Sequence, residues 1–274
     1  MVRSLWTGAT GMIAQQLNVD NISNNLANVN TTGYKSEVME FKSLLYQTIQ
    51  TKTTTANGVN KPIGAEVGLG VRNSAITSIF TQGSLLETPG AANFAIDGKG
   101  FFGIKGADGN TYYTRNGNFV FAIGSEGITL TTTDGLQVLD SEGEPIILDG
   151  DIVADKITVG NGGVLYYPDE KNIPQRLDIK IGLWQFNNPA GLKKEGDSFF
   201  TVTEASGAAM NEAENENLTK SDLIQGYLEG SNVQIADEMV NLIVAQRAYE
   251  MNSKVITTSD EMLQQANQLK NCCT

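Results

Sequence analysis

Apolar residues recur at helical spacing at both ends of the chain and at strand spacing between them. Leu5, Met12, Val19 and Leu26 repeat every seven positions, with Gly8, Gln15, Ile22 and Val29 as a companion row three residues later. That is a heptad seam, weak at its start and stronger toward Val29. It stops at NTTGY, where Thr31 and Thr32 lower helix propensity and Gly33 supplies a left-handed C′ residue. Val38, Phe41, Leu45 and Ile49 then share a helical face and predict a second, shorter helix. At the other end, Ser231 and Gln234 read as an S-x-x-Q capping box. Ile235, Leu242, Tyr249, Ile256 and Leu263 follow every seven residues, beside Ala248, Val255, Met262 and Leu269. One long helix over residues 233–270 is predicted. Ile256-Thr257-Thr258 marks where a kink would fall, and the unbroken seam favours continuity.

The middle reads differently. Residues 50–64, QTKTTTANGVNKPIG, are rich in Thr and turn formers and have no period. Beyond them come short β-like runs such as NFAIDGKGFFGIK, NTYYTRNGNFVFA and GITLTTTDGLQVLD. Asp97-Gly98, Asp108-Gly109, Asn116-Gly117 and Asp134-Gly135 suit tight hairpins. The expected fold class is α+β: long terminal helices packed as a coiled-coil-like core, and a central, mostly antiparallel β domain. The boundaries read as helical residues 1–49, an extended arm at 50–66, β structure at 67–227 and helical residues 228–274.

One stretch cuts against its own pattern. Five of the ten positions from Asn21 to Asn30 are asparagine, which helices tolerate poorly. Asn21, Asn25 and Asn28 share a face, with Asn24 beside them, while Ile22, Leu26 and Val29 occupy another. Such amides fix register in a crowded helical assembly, at some cost in stability. The terminal helices also carry apolar residues off the main rows, at Ile13, Ile243 and Met251. More apolar surface is offered than a two-helix pair buries, which favours packing against further copies.

Composition narrows the chemistry. The 274 residues carry a net charge of −12, from 31 acidic and 19 basic residues, and no histidine. Nucleic acid is disfavoured, and the commonest general base and metal ligand is missing. No apolar run reaches the ~18 residues of a membrane span, and no signal-peptide h-region opens the chain. Cys272 and Cys273 sit at the extreme C-terminus and staple nothing. Gly98-Lys99-Gly100-Phe101-Phe102-Gly103 matches GxGxxG, but FFGIK reads as a strand where a dinucleotide site needs a helix. Asp140, Glu142, Glu144 and Asp151 imitate a calcium loop, with Pro145 where Gly is required. The N-x-S/T sites mean little without a secretory signal. No cofactor, metal or catalytic set is assigned. A glycan- or peptidoglycan-binding β module with Tyr112, Tyr113, Tyr166 and Tyr167 on one face is the alternative from another class, and an acidic-residue hydrolase a third.

MVRSLWTGATGMIAQQLNVDNISNNLANVNTTGYK resembles the N-terminal signature of the bacterial flagellar rod and hook axial proteins, and EGSNVQIADEMVNLIVAQRAYEMNSKVITTSDEML resembles their C-terminal one. AANFAIDGKGFFGIK and FNNPAGLKKEGDSFF resemble family segments of the β region, so the likeness spans almost the whole chain. It implies a non-enzymatic subunit of the distal rod, or alternatively of the proximal rod or hook. Such proteins are exported unfolded by the flagellar type III apparatus, without a cleaved signal peptide, into the basal body in the periplasmic space. The resemblance implies self-assembly into a helical polymer through Leu5, Met12, Val19, Ile22, Leu26 and Val29 with Ile235, Leu242, Tyr249, Ile256 and Leu263. Asn21, Asn25 and Asn28 then serve register. Implied partners are further copies, proximal rod and hook proteins, surrounding ring or bushing proteins and the export apparatus, with no membrane insertion. A stiffening segment is expected near Tyr46 to Glu66.

Overall fold

The computed structural model describes residues 2–50, 64–124, 127–148, 153, 156–160, 162–168, 173–215 and 218–272. The chain forms two compact units. One comprises Met1–Ala27, Glu37–Thr77 and Gln234–Thr274, and the other Asn28–Ser36 and Ser78–Val233.

The first unit is built on helix α1 (Val2–Ala27) and helix α2 (Ile235–Cys272). At 38 residues, α2 is about 57 Å long. It runs unbroken through Ile256–Glu261, so the heptad pattern outweighs the β-branched run there. The helices pair antiparallel: Ser4 meets Ser259, Gly8 meets Ile256, Gly11 meets Asn252 and Asn25 meets Glu238. The predicted capping box does not form. Ser231 Oγ accepts the Val233 N–H at 3.3 Å, and the helix begins only at Ile235, with Asp237 and Glu238 in its first turn to oppose the positive dipole end.

The second short helix is not there. Strands β1 (Glu37–Ser43) and β2 (Tyr46–Gln50) occupy its place, pairing with β4 (Val71–Ser78) and β3 (Ala65–Gly68) as a two-stranded ribbon. Apolar residues on both faces of a ribbon lose the period-2 alternation, and Val38, Phe41, Leu45 and Ile49 mimic a helical face. Most of the Thr-rich arm, residues 51–63, lies outside the described residues, as does Cys273.

The second unit is antiparallel β. Its strands are β5 (Leu85–Glu87), β6 (Phe94–Asp97), β7 (Phe101–Lys105), β8 (Thr111–Thr114), β9 (Phe119–Ile123), β10 (Ile128–Thr132), β11 (Gln137–Val138) and β12 (Ile147–Leu148). They continue with β13 (Thr158–Val159), β14 (Val164–Pro168), β15 (Pro174–Lys180), β16 (Leu183–Gln185), β17 (Lys193–Gly196) and β18 (Phe199–Thr201). Last come β19 (Met210–Asn211), β20 (Asp222–Gln225) and β21 (Tyr227–Glu229). The main sheet runs β12-β10-β11-β7-β8-β18-β17, with β16 also on β7 and β9 on β10. Strand β7 shows why both faces are buried. Phe102 and Ile104 enter a core with Phe94, Ile96, Leu130 and Ile181, while Phe101 enters a second one with Tyr113, Trp184, Phe186 and Phe200. Gly103 lies under the Trp184 ring, which a Cβ would meet at 2.2 Å.

Of the four expected hairpin turns, two join paired strands: Asp108-Gly109 links β7 to β8, and Asp134-Gly135 links β10 to β11. The other two do not. Strand β6 leaves Asp97-Gly98 paired with β20, and β8 leaves Asn116-Gly117 paired with β7 and β18. Gly98 to Gly103 is a turn followed by a strand, as the pattern predicts. Among the described residues no group of His, Cys, Asp or Glu is placed to hold a metal. Asp140 instead closes a turn, its carbonyl accepting Gly143 N–H and its carboxylate Lys180 N–H. Asp151 lies outside the described residues.

Candidate assembly surface

The surface of the helix pair follows from what its seam is made of. On α1 the contact positions are small: a Cβ on Gly8 would stand 3.0 Å from Ile256, and one on Gly11 would stand 2.8 Å from the Asn252 amide. Buried beside them are Ala14, Asn21, Ile22 and Asn25, and on α2 Ala245 and Ser259. Small residues let the axes approach closely and leave larger apolar groups outside. Leu5, Met12, Val19 and Leu26 are half-buried, as are Leu242, Ile256 and Leu263. Tyr249 and Ile235 are exposed. Val29 is half-buried in the turn beyond α1. Trp6, Ile13, Met239, Val240, Ile243, Val244 and Met251 are between 52% and 69% exposed.

The asparagines act on backbone. Asn25 Oδ1 accepts Glu37 N–H at 2.9 Å and its Nδ2 donates to Glu37 O at 2.8 Å, so one side chain pairs with β1 as a neighbouring strand would. Asn21 Nδ2 donates to the same carbonyl at 2.9 Å. Asn25 Nδ2 also reaches Glu238 Oε1 at 3.3 Å. Burial raises the Glu238 pKa, and the Asn25 bond works against that rise. Asn28 lies past the helix, its carbonyl and side-chain oxygen accepting Thr31 N–H and Oγ1–H. Two asparagines thus seat β1 across α1, and Gly70, at φ +118°, brings the β3–β4 turn against Thr10.

Sequence reading missed a buried charge cluster in the β unit. Lys35 and Glu229 have fully buried side chains and pair at 2.5 Å, and Arg115 Nη1 reaches the other Glu229 oxygen at 3.3 Å. Arg115 Nη2 donates to Gly98 O at 2.8 Å, and the guanidinium lies over Phe101. Burial lowers the pKa of Lys35 and of Arg115, and Glu229 opposes this in both. Gly33, two residues before Lys35, sits at φ +69° against the Arg115–Asn116 backbone. Its N–H donates to Glu229 O, and a Cβ would meet Asn116 N at 2.7 Å. Gly33 is therefore left-handed as predicted, but as part of the β unit and not as a helix C′ residue. The only signal for the cluster was that Lys35 and Glu229 each fall inside a terminal signature.

Other candidate chemistry is spent on structure. Glu212 accepts Ser221 N–H, Ser221 Oγ–H and the Gln185 amide, each at 2.8 Å. Tyr113 is buried against Trp184 and Phe186, Tyr112 leans on Phe199, and Tyr167 packs against the main core. The four tyrosines do not make one exposed cluster.

A close-packed β unit and a helix pair with exposed apolar side chains fit a structural protein better than a catalyst. The chain belongs to the flagellar basal-body rod family. The pattern described as "Flagella basal body rod protein" matches residues 5–35, that of the "Flagellar hook protein FlgE/F/G D1 domain" residues 95–167, and that of the "Flagellar basal body rod FlgEFG protein C-terminal" residues 224–269. The chain is 43% identical to the flagellar basal-body rod protein FlgG of Borreliella burgdorferi, over 98% of this chain and 99% of that one. It is 43% identical to FlgG of Agrobacterium fabrum over 95% and 97%, and 37% identical to FlgG of Bacillus subtilis over 98% and 100%. Proteins of this family are structural, and the chain is not an enzyme.

Proposed function

We propose that the chain is the structural subunit of the flagellar distal rod, polymerising helically into the shaft that carries torque from motor to hook. End-to-end similarity to FlgG proteins favours the distal rod over the proximal rod or hook. The observation that carries assembly is the set of exposed apolar side chains on α1 and α2. Burying seven large side chains that are each more than half exposed contributes roughly 6–12 kcal/mol per copy, before ordering costs.

In this reading the terminal helices of many copies pack as a coiled-coil-like inner tube, and the β units lie outside it. Contacts are heterologous, so the polymer grows without closing. The ribbon of β1 to β4 supplies the stiffening segment, since Leu45, Tyr46 and Ile49 are exposed on it. Partners are proximal rod and hook proteins at the two ends, ring proteins around the shaft in the periplasm, and the type III apparatus that exports the chain unfolded. No helix among the described residues is long and apolar enough to cross a membrane.

The test is the double variant Ile243→Lys/Met251→Lys. Both positions are exposed, so circular dichroism and the melting temperature should match wild type while basal bodies lack a distal rod. Full-length rods from that variant would overturn the reading.

A further inference from the structure

Inside the β unit, next in sequence to the points where the chain leaves it, three chain segments are tied together by side chains. The chain passes between units after Ala27, Ser36, Thr77 and Val233. Inside the β unit, Asn232 Oδ1 accepts Ser36 N–H at 2.7 Å, and its amide donates to Ile79 O at 2.8 Å and Thr81 Oγ1 at 2.9 Å. Ile79 N–H donates to Ser36 O at 2.8 Å. Deeper in, Lys35 bonds Thr81 O at 2.8 Å as well as Glu229, and Glu229 Oε1 also takes Gly83 N–H at 3.0 Å. Segments 33–36, 79–83 and 229–232 are therefore laced at two levels, by the Asn232 amide and by a buried ion pair.

We propose that Asn232, Lys35 and Glu229 form a load-bearing cross-tie, which makes these segments share force that would otherwise peel them away singly. Its mechanical role rests on the rod reading; the lacing itself does not. Peeling breaks hydrogen bonds one at a time, whereas laced segments must give way together. An apolar cluster would stabilise the fold equally well, but apolar contacts slide. Drawing Lys35 away from Glu229 leaves charge unpaired in a dry site, so the ion pair resists displacement.

The experiment uses the full chain and two variants. Asn232→Ala removes every side-chain bond of the outer tie; Asn232→Asp keeps the acceptor for Ser36 N–H and loses the donors to Ile79 and Thr81. Amide hydrogen exchange at Ser36 and Ile79 should rise about tenfold or more in Asn232→Ala, while Phe102 and Ile104 in β7 hold wild-type rates. In Asn232→Asp the rise should be confined to segment 79–83. Unchanged exchange at Ser36 and Ile79, or an equal rise at Phe102 and Ile104, would overturn the tie. In cells whose rods are built from either variant, swimming should match wild type in dilute buffer and fall at least about twofold relative to it in viscous medium. Equal speeds in both media, with exchange raised, would overturn the load-bearing role and leave the rod reading standing. Absence of the wild-type chain from purified basal bodies would overturn the rod reading, while the exchange result still decides the tie.

Discussion

Replacing Glu229 with Gln removes one negative charge from a site holding two cations. The glutamate side chain is fully buried, 2.5 Å from Lys35 and 3.3 Å from Arg115. Gln keeps an acceptor for Gly83 N–H but turns an amide donor toward groups that are donors themselves. Breaking one member of a buried pair costs about 3–5 kcal/mol, because the remaining charge is left unpaired. With a urea slope of about 2 kcal/mol/M, the unfolding midpoint of the β unit should fall by ~1.5–2.5 M. Its pH dependence should change as well. Burial already holds the folded-state pKa of Lys35 below the ordinary 10.5, and Glu229 is the main influence opposing that. Where the unfolded lysine is protonated and the folded one is not, stability rises with pH. That gain accrues in wild type as pH climbs from the folded pKa toward 10.5. In the variant the folded pKa drops further, so the window opens at lower pH and the gain is larger. Urea titrations followed by Trp fluorescence at about pH 7 and pH 9.5 read both effects. Tyr113, whose pKa is raised by burial, sets the upper limit, since it costs stability above about pH 10. The triple replacement Lys35→Met/Arg115→Met/Glu229→Leu should lose less than the single variant. A midpoint shift below ~0.5 M, or a pH response equal to wild type, would refute this account of the cluster.

Gly33→Ala places a Cβ 2.7 Å from Asn116 N at a left-handed φ. It should cost about 2–4 kcal/mol, from strain and overpacking together, and read out as a lower melting temperature with faster exchange at Lys35. Asn25→Leu removes both bonds to the Glu37 backbone, leaving Asn21 to hold the Glu37 carbonyl, at a cost of about 1–3 kcal/mol. It should leave export intact and yield short or misassembled rods in electron micrographs; rods of normal length would sink the role given to that residue. Gly103→Ala drives a methyl into the Trp184 ring and should lower the urea midpoint by the equivalent of about 1–3 kcal/mol, with little change in the helical signal.

The parts legible in the sequence were those where one period runs long. Helix α2 shows its pattern over five heptads, so Ile235 to Leu263 could be placed within a few residues. The buried core of the β unit declares itself through short runs such as FAID and FFGIK between glycines. Residues 37–50 look helical in sequence because apolar side chains on both faces of a ribbon erase alternation. The asparagines of α1 looked like poor helix formers, since propensity sees only their own helix. Asn21 and Asn25 are explained by the backbone of Glu37, which lies across it. The charge cluster was invisible for a simpler reason: Lys35 and Glu229 are 194 residues apart, and no spacing rule links them.

The central claim is that these terminal helices build a shaft, and an image reconstruction of the polymer tests it most directly. The filament should be straight and helical, its innermost density the α1–α2 pairs of successive copies, with Ile243, Val244 and Met251 buried between copies. A filament carrying its terminal helices on the outer surface, or one held together by β-unit contacts alone, would contradict it.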